Sequence, residues 1–292
     1  MSSYLQATAR QRIHALIEHF REILPPSAQW TSPYLPQLNA PVSPDDGIVI
    51  GYGELDGRRV FAAAQDGTFM GGAVGEVHGA KLVGILQKAV QERAAAFIFL
   101  AESGGVRLHE ANAGLIAVSE VMRALLAVRA AGIPVIVLNG GSNGCFGGIG
   151  VVARCANVVI MSEAARLAMS GPEVIQSAHG AAEFNAKDRA LVWRTTGGKH
   201  RYLLGDCDLL VADDIAAFRA AAIAAMRQYA QQTAALSLAE LEREQQMLSQ
   251  RWQHFSDCKE STQIWAALGH AAPENAALPE VAQVGDRQAG VA

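Results

Sequence analysis

Apolar positions along this chain change period several times, and the changes mark out alternating helices and strands. Residues 4–23 set Leu5, Ile13, Leu16, Ile17 and Phe20 on one stripe, which predicts an amphipathic helix. Residues 24–46 hold six of the ten prolines and predict an extended arm. Residues 47–53 and 59–64 read as a hairpin turned at Leu55-Asp56-Gly57. Lys81, Leu82, Ile85, Leu86 and Val90 recur at helical spacing within 75–93. A short apolar run at 95–101 predicts a strand; it ends in Glu102-Ser103-Gly104-Gly105, and a helical pattern follows over 108–130. The same order repeats with a strand at 133–138, a glycine-rich stretch from Asn139 to Gly148, and a helix start. Further short strands are predicted at 158–161, 167–170 and 208–211, with a helix after Gly171-Pro172-Glu173. Residues 215–255 read as almost wholly helical, with a break near Leu236 and Ser237.

A recurring strand, glycine turn and helix demands a parallel or mixed sheet with helices packed on it, so the expected class is α/β. In such sheets ligands sit at the carboxyl ends of strands, where both glycine clusters fall. The expected organisation is a helix and Pro-rich arm over 1–46, a compact domain over 47–214 and a helical extension over 215–270. An Ala/Pro/Gly-rich tail over 271–292 is expected to be poorly ordered. The extension either caps the domain's own core or packs on a neighbouring subunit.

Composition narrows the function. Half of the 292 residues are apolar and 18% are charged, which suits a globular chain and argues against wholesale disorder. The net charge of −4 and the lack of a long Lys/Arg run leave no case for nucleic acid or an anionic membrane as partner. Cys145, Cys155, Cys207 and Cys258 are scattered and form no C-x-x-C, so no metal site is expected and the thiols suit a reducing cytoplasm. The N-terminus lacks an apolar signal core, and no apolar run is long enough to span a bilayer.

The glycine turns carry the candidate chemistry. A chain that leaves a strand, turns on glycines and enters a helix exposes unpaired N–H groups, and the helix dipole adds partial positive charge there. Two such turns from adjacent strands can aim two N–H groups at one carbonyl oxygen, forming an oxyanion hole. The expected backbone donors are Gly105 and Val106 in the first turn and Gly147 and Gly148 in the second. No P-loop motif is present, Gly147-Gly148-Ile149-Gly150 fits a dinucleotide turn poorly, and no G-x-S-x-G elbow occurs. The bland reading of each turn is tight helix–sheet packing. Side-chain chemistry is thin. Ser103 has no evident His/Asp relay, Cys145 reads as packing, and His78 and His109 read as structural hydrogen-bonding groups. Arg107 and Glu110 are spaced to pair with each other across a helix start. Glu76 and Lys81 also read as structural, with a ligand phosphate as the alternative partner for the Lys81 ammonium.

Four ordered motifs carry a resemblance. Gly67-Thr68-Phe69-Met70-Gly71-Gly72-Ala73-Val74-Gly75-Glu76-Val77-His78-Gly79-Ala80-Lys81 resembles the G-G-S-x-x-E-x-H-G-x-K segment of acyl-CoA carboxyltransferases. Glu102-Ser103-Gly104-Gly105-Val106-Arg107-Leu108-His109-Glu110 is similar to their D-S-G-G-A-R-x-x-E signature, with Glu in place of Asp. Gly144-Cys145-Phe146-Gly147-Gly148 resembles C-A-G-G-A, and Ser170-Gly171-Pro172-Glu173-Val174-Ile175 resembles T-G-P-x-V-V. The resemblance runs from about residue 51 to 214 and implies the crotonase-like fold, a spiral of ββα units that holds thioester enolates on backbone N–H pairs. It also implies substrate contacts at Gly71, Gly72, Gly104, Arg107, Cys145, Phe146, Ser170 and Gly171.

Within that family the chain most resembles the smaller, β-type subunits of biotin-independent malonate decarboxylases. No cysteine precedes Cys145, so the zinc ribbon of bacterial acetyl-CoA carboxylase subunits is missing, and there is room for only one crotonase-like domain. The resemblance implies decarboxylation of malonyl-acyl carrier protein to an acetyl thioester and CO2, with no cofactor bound directly. The carrier protein's CoA-derived prosthetic arm would present the substrate. It implies three partners: a homologous larger γ subunit that supplies the second domain, the acyl carrier protein, and an acyl-carrier transferase subunit. The alternatives are a biotin-dependent acyl-CoA carboxyltransferase subunit and a non-catalytic scaffold subunit. A crotonase-type hydratase would need a glutamate pair that the sequence does not place.

Overall fold

The structure is a computed structural model, and it describes residues 2–269. The expectation for 271–292 lies outside the described residues. One seven-stranded sheet runs β1 (Glu18–Ile23), β2 (Ile48–Leu55), β3 (Arg58–Gln65), β4 (Phe97–Leu100), β5 (Val135–Asn139), β6 (Val158–Ser162) and β7 (Leu209–Val211), in strict chain order. β1, β2 and β3 are antiparallel neighbours, and every pair from β3 to β7 is parallel. Each parallel pair needs a crossover helix. α2 (Glu76–Gln91), α3 (Asn112–Ala130) and α4 (Gly147–Arg154) supply the first three. α5 (Pro172–His179), α6 (Arg189–Thr196) and α7 (Gly198–Leu203) together make the fourth.

The central strands are buried on both faces, which is why they read as continuous apolar runs rather than alternating ones. Phe97, Phe99, Val135 and Val137 point to the face covered by α2, α3 and α4, against Ile85, Leu125, Val128 and Val152. Ile98, Leu100, Ile136 and Leu138 point to the other face, which α1 (Ala9–Leu16) and α8 (Ile215–Tyr229) cover with Ile13, Leu16, Phe218 and Met226. Each such side chain, fully buried, contributes about 1.5–3 kcal/mol. The N-terminal helix and α8 therefore close a face of the sheet that residues 47–214 leave open.

The helix expected over 4–23 is corrected by the structure. Thr8 and Gln11 form a capping box that starts α1 late, and the helix ends at Leu16. Ile17 is extended, and β1 pairs with β2, Arg21 opposite Tyr52 and Ile23 opposite Ile50. The gain is a covered sheet edge, which outweighs the weak helical stripe contributed by Phe20. The strand expected over 167–170 is also corrected: only Leu167 forms a bridge, to Cys145. The arm over 24–46 is not fully extended, since Pro26–Ala28 and Pro36–Leu38 form single 3-10 turns. The helical region after 215 breaks as expected, into α8 and α9 (Leu238–Phe255), with α10 (Ser261–Ala267) beyond. α8 belongs to the core, whereas α9 buries no residue fully and leaves Leu238 and Trp252 at 71% and 75% exposure. Among the described residues no helix is long and apolar enough to cross a membrane.

A second ladder lies beyond the main sheet. Val74 bridges Val106, Ser103 bridges Cys145, and Cys145 bridges Leu167, all in parallel. Each bridge segment follows a strand of the main sheet and precedes a helix. Strand, bridge and helix recur as β3–Val74–α2, β4–Ser103–α3, β5–Cys145–α4 and β6–Leu167–α5, which is the ββα spiral with its second strand reduced to a bridge. That reduction is why residues 167–170 form no strand of their own.

Candidate active site at the two glycine turns

The two turns meet backbone to backbone. Gly105 has φ +116° and Gly147 has φ +57°, both in the region that disfavours any side chain. A Cβ on Gly105 would sit 3.2 Å from the Gly147 Cα, and one on Gly147 would sit 3.0 Å from the Gly105 Cα. The ladder fixes this contact: Ser103 N–H donates to Gly144 O (2.8 Å), and Phe146 N–H donates to Ser103 O (2.8 Å). Outside the pair, Gly104 N–H donates to Gly71 O (2.8 Å), and Arg107 N–H donates to Val74 O (2.9 Å).

An accounting of N–H groups separates the four expected donors. Gly105 N–H donates to Ser103 Oγ (3.0 Å), and Gly147 N–H donates to Met169 O (2.9 Å), so both are already engaged. Among the described residues nothing accepts the Val106 N–H, and the Gly148 N–H, in the first turn of α4, has no intrahelical acceptor either. Both residues are partly exposed. The structure thus brings Gly71, Gly104, Gly105 and Gly147 together and leaves one unspent donor beside each of the paired glycines. Ser170 and Gly171 lie partly exposed at the start of α5, next to Met169. Exposed apolar side chains follow the turns in the chain, Leu108 at 82% and Met169 at 68%, and Ile116 on α3 is 62% exposed.

The remaining expected substrate contacts face inward. Gly72 packs under the first turn, where a Cβ would meet Glu102 O. Cys145 is fully buried, and burial pushes its thiol up to about 12, so it is a protonated packing group and not a nucleophile. Phe146 is buried with the Arg166 guanidinium 5.5 Å over its ring. Arg107 is wholly buried and binds protein rather than the opening. Its Nη1 lies 3.0 Å from both carboxylate oxygens of Asp46 and 3.4 Å from Glu110 Oε1. The pairing of Arg107 with Glu110 is as read from their spacing, but the closer partner, Asp46, is one that the spacing misses. Both carboxylates also cap α2: His78 N–H donates to Asp46 Oδ2 (2.8 Å), and Glu76 N–H donates to Glu110 Oε2 (2.6 Å).

Lys81 is buried and spends its ammonium on Asp45 O and Ile48 O, both at 2.8 Å, so it anchors the arm and does not reach a phosphate. His109 is exposed. His78 is completely buried between Asp46 O (3.1 Å from Nδ1) and Gln65 Nε2 (3.2 Å from Nε2), an environment that suits a neutral ring donating from Nδ1. Burial, reinforced by Arg107, pushes it down to about 3, and burial likewise takes His200, which accepts from Trp265 Nε1, down to about 4. In the unfolded chain both rings titrate near the ordinary value, so the folded state holds fewer protons below it. Their contribution to stability is complete above about pH 6.5 and is lost as pH falls towards the folded values, at about 1.4 kcal/mol per pH unit for each ring. Urea unfolding at pH 7 and pH 5 should therefore show a loss that shrinks in a His78→Asn variant; an unchanged loss would contradict the buried neutral ring. Among the described residues no group of three or more His, Cys, Asp or Glu is placed to hold a metal.

Residues 6–249 match the family described as the carboxyl transferase domain. The chain is similar to malonyl-S-ACP:biotin-protein carboxyltransferase of Malonomonas rubra, 39% identical over 291 residues that cover 94% of this chain and 91% of that one. Among solved structures it is similar to a chain of a Pseudomonas malonate decarboxylase hetero-tetramer in complex with malonate. That match has a TM-score of 0.75 and 38% identity, covering 77% of this chain and 84% of the other. A chain of a Pseudomonas malonate decarboxylase hetero-dimer matches with a TM-score of 0.64 and 34% identity, covering 78% and 89%. Transcarboxylase 12S matches with a TM-score of 0.63 at 27% identity, this chain spanning 40% of that longer one.

Proposed function

The chain belongs to the carboxyl transferase domain family, and from that premise we propose that it is the smaller catalytic subunit of a malonate decarboxylase. It acts on a malonyl thioester. The bond between the α-carbon and the free carboxylate breaks, CO2 leaves, and the electron pair forms an enolate whose negative charge sits on the thioester oxygen. A proton on the α-carbon then completes the acetyl thioester. The observation that carries this reading is the pair of unspent N–H groups, Val106 and Gly148, flanking the contact between the two glycine turns. Both donate to the same thioester oxygen, and they bind it more strongly as its charge grows. Gly71, Gly104 and Gly171 keep the approach free of side chains, and Ser170 borders it. The exposed carboxylate of Glu173 lies beside Gly171, with Oε2 3.9 Å from where a Cβ there would stand, and the proton comes from water or from a partner subunit.

Support for the substrate comes from the relatives: one acts on malonyl-S-ACP, and another was solved with malonate. The substrate carrier is an acyl carrier protein, whose CoA-derived arm delivers the malonyl group, and an acyl-carrier transferase subunit loads it. The similar Pseudomonas chains belong to hetero-oligomers. The exposed apolar side chains of Leu108, Ile116 and Met169 suit cover by a homologous larger subunit. Residues 47–214 hold the site, 1–46 and 215–270 support it, and the enzyme works in the cytoplasm.

A second reading has a specific observation behind it, since the Malonomonas relative passes carboxyl to a biotin protein. Bond cleavage and the enolate are common to both; only the fate of the carboxyl differs. The discriminating experiment measures CO2 release and acetyl thioester formation from malonyl-acyl carrier protein by the purified complex, with and without avidin. Equal turnover in both is the expected result. Turnover abolished by avidin would overturn biotin-independent decarboxylation in favour of carboxyl transfer.

A further inference from the structure

Glu102 stands where the carboxyltransferase signature has Asp, and its extra methylene has a visible destination. The residue is 5% exposed, and its carboxylate bonds two distant parts of the chain at once. Oε2 pairs with Arg12 of α1. Oε1 accepts from Asn143 N–H (3.2 Å) and Ser142 Oγ (3.3 Å), in the stretch that leads into the second glycine turn. Its own N–H donates to Gln65 Oε1 (3.2 Å) at the end of β3. Gly67 and Gly141 make the space: a Cβ on either would lie 2.6 Å or 2.2 Å from the carboxylate carbon. Asn143 Nδ2 in turn donates to Gly67 O, which ties the second turn to the segment whose Gly71 O receives Gly104 N–H.

Arg12 carries the connection outward. Its Nε donates to Tyr4 O (2.7 Å) and its Nη2 to Leu5 O (3.2 Å). That N-terminal segment is strapped to the start of α8, since Ile215 N–H donates to Ser2 O (2.7 Å) and Leu5 N–H donates to Asp213 Oδ1 (2.8 Å). One buried ion pair therefore joins the N-terminal segment to the first turn and, through Ser142 and Asn143, to the stretch that leads into the second.

We propose that Glu102 and Arg12 are a positioning pair that sets the spacing of the two glycine turns, so that docking of the N-terminal segment on α8 and assembly of the oxyanion hole are one event. Neither residue touches substrate. The proposal rests on the oxyanion reading above, because spacing matters only if Val106 and Gly148 share an oxygen. A carboxylate is required: Gln would keep one acceptor but turn an amide N–H2 towards the guanidinium, and Asp would fall short of either Arg12 or Asn143.

The test uses the assembled complex and reads kcat and KM for the malonyl thioester. Glu102→Asp is expected to lower kcat roughly 10²-fold, the loss that a misplacement of about 1 Å causes. KM should stay within about threefold, because ground-state binding is not what is lost. Arg12→Met should lower kcat in the same sense, and Arg12→Lys should restore most of that loss. The double variant Arg12→Met/Glu102→Gln should lose less than the product of the losses measured in Arg12→Met and in Glu102→Gln alone, as a coupled pair requires. A kcat unchanged by Glu102→Asp, equal kcat in Arg12→Met and Arg12→Lys, or losses that simply multiply would each overturn the pair. If Glu102→Asp fails to assemble, the two Arg12 variants decide alone. A Val106 amide-to-ester variant run in parallel separates the failures. Turnover lost there but kept in Glu102→Asp overturns the pair alone, and turnover kept in both overturns the pair and the oxyanion reading together.

Discussion

Replacing Arg107 by Met is expected to destabilise the folded chain by about 3–5 kcal/mol, because it strands two buried carboxylates. The guanidinium is fully buried and holds Asp46 at 3.0 Å and Glu110 at 3.4 Å, while its Nη2 donates to Asp46 O (3.3 Å) and Ala73 O (3.2 Å). Burial already pushes the Asp46 carboxyl up, against the pull of Arg107. Without the cation that opposition is gone, and the two acids face each other across the space it filled. The N-terminus of α2 offsets part of the loss through the N–H groups of Glu76 and His78, worth about 0.3–1 kcal/mol each, which is too little to replace a buried charge pair. Adding Asp46→Asn to the Met variant should recover part of the stability, since a neutral amide does not need the cation. Urea unfolding of the three proteins measures this. A loss below about 1 kcal/mol, the range of an exposed ion pair, would contradict the role assigned to the triad.

That triad illustrates where the sequence stops being informative. Arg107 and Glu110 are three residues apart, and their pairing follows from helical spacing. Asp46 lies 61 residues earlier at the end of a Pro-rich arm, and nothing in local pattern links it to Arg107. The parallel strands were legible because burial on both faces leaves runs such as Phe97–Leu100 without a polar break. β1 was not, because Ile13, Leu16 and Ile17 make a real helical stripe and the competing interest, an uncovered β2 edge, belongs to another part of the chain. The glycine turns were legible as a pair, and they touch at Gly105 and Gly147. Which N–H groups stay unspent was not legible. Gly105 is engaged by the Ser103 hydroxyl and Gly147 by Met169 O, and both facts depend on backbone direction rather than residue type. Arg12, too, reads as one polar position on a helix until Glu102 appears beside it.

In the proposed reaction two backbone N–H groups carry the enolate's charge. Removing one should therefore cost turnover without touching any side chain. Incorporating the α-hydroxy analogue of valine at position 106, or of glycine at 148, replaces that N–H by an ester oxygen and preserves the shape of the turn. Loss of one oxyanion donor lowers kcat by about 10²–10³-fold, or about 2.7–4 kcal/mol of transition-state stabilisation. The same change at Gly105 or Gly147, whose N–H groups already have acceptors inside the protein, should cost far less kcat and show mainly as lost stability. The deciding measurement is kcat for CO2 release from malonyl-acyl carrier protein by intact complexes with an ester at 106, 148, 105 or 147. A deep loss at 106 and 148 and a shallow one at 105 and 147 are expected. Equal kcat across all four, or deep losses only at 105 and 147, would contradict it.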